Sequence, residues 1–206
     1  MANLLLKLLN KVLKKVDTIN TLASLSTLKK RKKPLKVIVG SGGIQLPGWI
    51  STDIEILDIT KDDDWCRLFR EEIIECLLTE HVLEHLSFEE CDRFFSLAYR
   101  YLQNGGCLRI AVPDGCRPDK KYLEEVAPPA DGHKILFTYN ILSEMLKKHG
   151  FHIELLEWFD ENHQFHQKDW KMDRGIIFRS AKLDCQEEFK LGRLYYTSLI
   201  VDAVKR

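Results

Sequence analysis

The sequence predicts an α/β domain, a Rossmann-like, doubly wound, mostly parallel sheet with an antiparallel edge hairpin. Three observations carry this. Apolar runs of strand length alternate with segments of helical spacing between Leu35 and Phe159. A glycine turn, Gly40-Ser41-Gly42-Gly43, follows the first of these runs directly, and a second run closes on an acid, Asp53. Two late strand-like runs, Gly175–Arg179 and Tyr195–Val204, have no helix between them, as an antiparallel edge requires.

The elements follow in order. Residues 2–28 place Leu4, Leu5, Leu8, Leu9, Val12, Leu13, Val16 and Ile19 at helical spacing, with lysines between them. A basic run, Lys29 to Lys33, and Pro34 end that segment. A leading unit, 1–34, therefore precedes a domain over 35–206. Strands are expected at about Lys36–Val39 and Trp49–Thr52, with too few residues between Gly43 and Trp49 for a full crossover helix. Ile54–Ile59 reads as a short third strand. Asp62-Asp63-Asp64 reads as an N-terminal cap for a short helix carrying Trp65, Leu68 and Phe69 inward. Ile73–Thr79 is apolar enough for a strand buried on both faces. Ser87-Phe88-Glu89-Glu90 is a capping box that opens a helix to about Leu102, stopped by Asn104-Gly105-Gly106. Cys107–Val112 is the next strand. Residues 114–137 read as a long loop with a short helix. Thr138 caps a helix over Tyr139–Lys148, and Phe151–Phe159 is a strand. Asp160–Arg174 reads as a polar and aromatic loop.

Composition narrows the class. The chain has 206 residues, 45% of them hydrophobic and 30% charged, ordinary values for a globular α/β domain. Lysine plus arginine and aspartate plus glutamate each number 31, so no net charge draws the protein to nucleic acid. The basic run lacks interleaved aromatics, which also argues against nucleic acid. Six cysteines occur without a Cys-x-x-Cys pair, several in apolar runs, which suits reduced thiols and a cytoplasmic protein. No apolar run reaches the roughly 18 residues of a membrane span. The leading basic amphipathic segment, residues 1–33, offers a peripheral membrane or protein contact, or packs on the domain itself.

In open α/β sheets ligands sit beyond the carboxyl ends of the strands. The strand ends here bring Gly40–Gly43, Asp53, Asp58, Glu80–His81 and Asp114 to one edge from distant parts of the chain. Glycines let the backbone approach a ligand closely, and an acid at a strand tip accepts ribose hydroxyls. A dinucleotide oxidoreductase is disfavoured, because position 45 is Gln where Gly-x-Gly-x-x-Gly needs glycine.

From Leu35 to Lys205 these residues together resemble a class I S-adenosylmethionine-dependent methyltransferase. The likeness rests on Val39-Gly40-Ser41-Gly42-Gly43 with Leu46-Pro47-Gly48-Trp49-Ile50, on Asp53, on the Glu80–Leu86 block, and on Leu102-Gln103-Asn104-Gly105-Gly106 leading into Leu108–Asp114. His133, Phe137-Thr138-Tyr139 and the Leu142–Phe151 segment match as well. The pattern is closest to small methyltransferases found with polysaccharide and cell-surface glycan genes. The resemblance implies S-adenosyl-L-methionine as cofactor and a small-molecule or saccharide methyl acceptor. It implies Gly40, Ser41 and Gly42 beneath the methionine part, Asp53 on the ribose hydroxyls, Asp58 and Ile59 near adenine, and Glu80 and His81 beside the sulfonium. The chain departs from the family pattern at Ile38, where an acid is usual, and at Ile44, where the third glycine stands. The methionine amino group would then need another partner, such as backbone carbonyls.

Methyl transfer to a hydroxyl benefits from a general base. His85, Asp114 and His133 are the candidates, each with a plain structural alternative: a helix-entry histidine, a turn aspartate, a loop-fixing histidine. His81-Val82-Leu83-Glu84-His85 also fits the His-x-x-Glu-His pattern of inverted zinc peptidases. A strand running into His81 and a capping box at Ser87 leave no long helix there, so no metal is expected. His163, His166, Asp169 and Trp170 suit a substrate loop or plain polar surface, and Arg174 and Arg179 could meet an anionic group on a substrate. The alternative function is a non-catalytic scaffold that docks through its basic leading helix.

Overall fold

The computed structural model describes residues 33–184 and 198–206. The leading helix expected over residues 2–28, and the start of the last expected strand, lie outside the described residues.

Seven strands form one sheet in the order β2-β1-β3-β4-β7-β5-β6. They are β1 (Leu35–Val39), β2 (Ile50–Thr52), β3 (Ile74–Glu80), β4 (Leu102–Val112), β5 (Phe151–Phe159), β6 (Phe165–Gln167) and β7 (Leu199–Lys205). β2, β1, β3 and β4 run parallel. β7 inserts antiparallel between β4 and β5, and β6 closes the edge as a hairpin with β5. Since β7 opposes both neighbours, β5 points the same way as β4. The carboxyl ends of β1 to β5 thus share one rim.

Five α-helices lie among the described residues: α1 (Asp62–Leu68), α2 (Phe88–Tyr101), α3 (Lys120–Val126), α4 (Tyr139–Lys148) and α5 (Ala181–Asp184). None is long and apolar enough to cross a membrane. Local chemistry explains their starts. Ser87 accepts the Glu90 amide at 3.2 Å while the Glu90 carboxylate takes the Ser87 amide at 2.7 Å, the reciprocal box the sequence spells. Thr138 caps α4 through the Ile141 amide. Residues 62–64 prove to be the first turn of α1 rather than its cap; Lys61 is the N-cap and gives no side-chain bond. The three carboxylates still lie where the helix dipole favours them.

Strand alternation splits the core in two. Val37, Val39, Leu77, Leu108, Ile110 and Val201 face α1, α2 and α4 in the larger cluster. Ile38, Leu78, Ala111 and Ile200 face the other way, onto Trp170 and Ile177. The segment 168–184 lies over that second face and is pinned by buried polar groups. Arg109, 1% exposed, sends Nε and Nη2 to the two carboxylate oxygens of Asp202 at 2.7 and 2.8 Å. Its Nη1 donates to the Lys171 and Gly175 carbonyls, and its guanidinium stacks on Trp170. Buried Glu157 accepts from Trp170 Nε1 and from the Ala181 and Lys182 amides. Gly175 crosses β3 so closely that a Cβ there would meet Leu78 at 2.9 Å.

Several expectations need correction. Ile54–Ile59 is a series of turns, because the Asp53 carbonyl accepts the Ile56 and Leu57 amides and curls the chain towards α1. Gly175–Arg179 is not a strand; it is the covering segment just described. β4 begins at Leu102, so Asn104-Gly105-Gly106 lies inside a strand instead of ending the helix in a loop. Residues 165–167, read as loop, form the edge strand β6.

Candidate active site

β1 ends at Val39 and the glycine turn rises from it. The Ser41 amide donates to the Thr52 carbonyl at 3.0 Å, which ties the turn to the end of β2. Asp53 stands one residue beyond that carbonyl and faces the turn. Its Oδ2 accepts Ser41 Oγ at 3.0 Å and its Oδ1 accepts the Gly42 amide at 3.1 Å. Each carboxylate oxygen retains a second lone pair, so the group can accept further donors. Gly42 and Gly43 have φ of +56° and +91°, and a Cβ at either would meet nothing within 4 Å. The turn therefore presents bare backbone to open space beside a carboxylate. Gly40 differs: a Cβ there would lie 2.4 Å from a Val82 methyl, so its hydrogen allows the segment after β3 to pack against the turn.

Ile38 and Ile44 do not obstruct the turn. Ile38 is buried on the second sheet face, and Ile44 packs against the same cluster. Ile54, beside Asp53, is 73% exposed, the most exposed of the large apolar side chains among the described residues. Asp58 and Ile59 stand where the chain enters α1. Asp58 accepts the Thr60 amide and hydroxyl and pairs with Lys61. Burial pulls its pKa up, but these bonds outweigh it and hold the carboxyl below the usual range. Ile59 is buried, and its carbonyl takes the Trp65 indole N–H.

At the end of β3, both Glu80 oxygens accept backbone amides, from Phe178 at 3.1 Å and Arg179 at 2.7 Å. Glu80 thus fastens the covering segment to the rim. His81 follows with φ +55°, a conformation that costs a residue with a side chain about 1–3 kcal/mol. The chain then forms a 3-10 turn, Leu83–His85, not the long helix of a zinc peptidase. His81 Nε2 lies 2.9 Å from Ser198 Oγ, and its Nδ1 lies 3.2 Å from Glu84.

The three base candidates part company. Asp114 is fully buried, and its oxygens accept the Cys116 amide at 2.9 Å and the Phe159 amide at 2.8 Å. It joins the end of β4 to the end of β5, a turn-holding role. Burial pushes its carboxyl up to about 6 against the pull of those two amides. His85 and His133 meet edge to face with ring centroids 4.8 Å apart. His133 is buried, with Nδ1 2.7 Å from the Val126 carbonyl. Glu84 stands beside both and is 1% exposed. Its place here was hidden in the sequence, where it read only as the middle of a motif.

The later polar residues form no ligand cluster among the described residues. His166 stacks on Trp158 and pairs with Asp160, and His163 bonds the Cys116 carbonyl. Asp169 pairs with Lys182, Trp170 is buried in the second core, and Arg174 is held by Asp202 and Glu154. Arg109 was missed; its signal was a lone charge inside the apolar run Cys107–Val112.

No protein-family model matches this sequence, and no curated protein matches it. Solved structures do. A SAM-dependent methyltransferase from Thermotoga maritima superposes with a TM-score of 0.51 at 13% identity, covering 97% of each chain. The S-adenosylmethionine-dependent methyltransferase SibL in its apo form gives 0.50 at 13% identity, covering 97% of this chain and 58% of the other. The described chain therefore has the class I methyltransferase fold, a mixed seven-stranded sheet with its strand ends gathered at one rim.

Proposed function

We propose that this protein is an S-adenosylmethionine-dependent methyltransferase acting on a small-molecule acceptor, with a saccharide hydroxyl as the finer reading. The observation that carries it is the pairing of Asp53 with the bare glycine turn. A carboxylate with lone pairs to spare faces backbone that has neither side chain nor neighbour above it. That arrangement fits an adenosyl group: the carboxylate accepts the ribose hydroxyls, Gly42 and Gly43 let the chain pass close beneath, and Ile54 offers an apolar face to the purine.

When bound, the cofactor supplies a methyl carbon already activated by a sulfonium. The protein's task is then alignment, which can supply about 7–11 kcal/mol of the barrier. Asp53 and the turn fix one reactant. Glu80 holds Phe178 and Arg179 at the rim. The acceptor side belongs to the β5–β6 hairpin, whose Trp158, Phe159 and Phe165 lie at the same rim and remain partly exposed. Half-exposed rings of this kind suit the apolar face of a sugar. Asp114 contributes by tying that hairpin to β4.

The test is a calorimetric titration of the full chain with S-adenosylhomocysteine. The expected result is one site per chain and a melting temperature that rises with ligand. No binding at millimolar ligand would overturn the proposal.

A further inference from the structure

We propose a divalent metal site, of the zinc class, built from Glu84, His85 and His133. It stands independently of the methyltransferase reading, since none of its evidence involves the cofactor.

One donor atom from each of the three residues lies within 4.8 Å of the other two, the single such cluster among the described residues. The carboxylate is the telling member. Glu84 is 1% exposed, and neither oxygen has a hydrogen-bond partner. Buried carboxylates are ordinarily paired or coordinate a metal, because stripping water from an unpaired charge is costly. The neighbour closest to satisfying it is His81, whose Nδ1 is 3.2 Å from Glu84 Oε1 but off hydrogen-bonding geometry. That contact leaves both Glu84 oxygens without a donor, a place that a cation beside them fills.

The histidines are prepared for one. His133 lies 2.7 Å from the Val126 carbonyl through Nδ1, which can only donate there, so the neutral ring carries its lone pair on Nε2. A ligating histidine commonly gives its other N–H to a carbonyl in this way. Among the described residues, the His85 imidazole makes no hydrogen bond and is half-buried, leaving one side of the cluster open to water as a fourth ligand. The backbone holds the set together. The Glu84 carbonyl accepts the Lys134 and Ile135 amides at 2.7 and 3.2 Å, which places His133 beside Glu84. Two imidazoles and one carboxylate are a donor set suited to zinc. Ligand bonds of about 2.0–2.1 Å place tetrahedral donors about 3.3 Å apart, so the side chains draw inwards on loading. The histidine partners differ from those of the peptidase pattern. That pattern pairs His81 with His85 on a helix; the fold pairs His85 with His133 from a distant loop.

The experiment uses the full chain, stripped with a chelator and dialysed. Cobalt(II) is titrated while visible absorption is followed, and zinc affinity is measured against a chromogenic chelator. The expected result is one equivalent per chain, cobalt bands of a four- or five-coordinate ion that zinc abolishes, and a melting temperature raised by zinc. His85→Gln, at a half-exposed position, should fold as the wild type does by circular dichroism. It should bind at least about a hundredfold more weakly, since even outer-shell losses cost 10–100-fold. His133→Gln should do the same, whereas the double variant His163→Gln/His166→Gln should bind as the wild type. Absence of stoichiometric binding, or binding unchanged in His85→Gln, overturns the proposal. A protein that binds zinc but not S-adenosylhomocysteine would keep this site and lose the methyltransferase reading, so the two fail separately.

Discussion

Replacing Asp53 with alanine separates the turn-holding task seen in the structure from the cofactor-binding task proposed for this carboxylate. In the free protein it accepts Ser41 Oγ at 3.0 Å and the Gly42 amide at 3.1 Å. Both bonds lie at a partly open site, so their loss should cost about 0.5–1 kcal/mol each, about 1–2 kcal/mol of stability together, below the usual range for hydrogen bonds to a charged group. The cofactor would add two hydroxyl bonds at about 1.5–3 kcal/mol each. Because the oxygens already serve the turn, the lower values apply, and about 3 kcal/mol corresponds to about a hundredfold in Kd. Asp53→Asn keeps the shape and one acceptor oxygen and should fall between. The assay is calorimetric titration with S-adenosylhomocysteine, alongside urea unfolding without ligand. Binding of Asp53→Ala within threefold of wild type, with the stability loss present, would show that Asp53 serves only the turn. The geometric case for an adenosyl site would then be lost.

Three further perturbations test the scaffold. Arg109→Met should destabilise by about 3 kcal/mol, the low end for breaking a buried pair, because Arg174 still reaches Asp202 at 3.2 Å. Arg109→Met/Asp202→Leu should recover most of this in urea unfolding; no recovery would place the loss in the two orphaned carbonyls instead. Gly40→Ala combines a left-handed φ of +63° with a methyl that overlaps the Val82 side chain, about 2–6 kcal/mol together. Adding Val82→Ala should return only the packing part, and a Gly40→Ala protein of wild-type stability would refute the contact. Asp114 has its carboxyl raised to about 6 from 3.8, so the folded state holds the proton longer than the unfolded one. Its contribution is therefore most favourable below pH 4 and is lost as pH rises towards 6, by about 3 kcal/mol at 1.36 kcal/mol per unit. Stability of wild type minus that of Asp114→Asn, followed by urea unfolding from pH 4 to 7, should fall by that order; a flat difference would remove the shift.

Much of the fold was legible because its signals are local. Apolar periodicity, the Ser87 box, the Thr138 cap and the glycine turn each act within a few residues, and the chain obeys them wherever it lies. The turn and Asp53 were legible for the same reason, being consecutive strand ends that register places side by side. The errors came where a distant partner overrode local preference. Residues 175–179 have strand composition, yet Arg109, Glu80 and Gly175 draw them across the sheet as a covering segment. Ile54–Ile59 has it too, but the Asp53 carbonyl bends it into turns.

By itself, then, the sequence determined an α/β chain whose glycine turn and acid share a rim, since periodicity and turn chemistry need no knowledge of what lies opposite. Only the tertiary structure decided which polar groups are spent and which are left over. Asp114 and Glu80 proved to be committed to backbone amides, while the Glu84 carboxylate was left buried without a hydrogen bond beside His85 and His133. Desolvation and pairing depend on neighbours separated by tens of residues, and no local pattern records them.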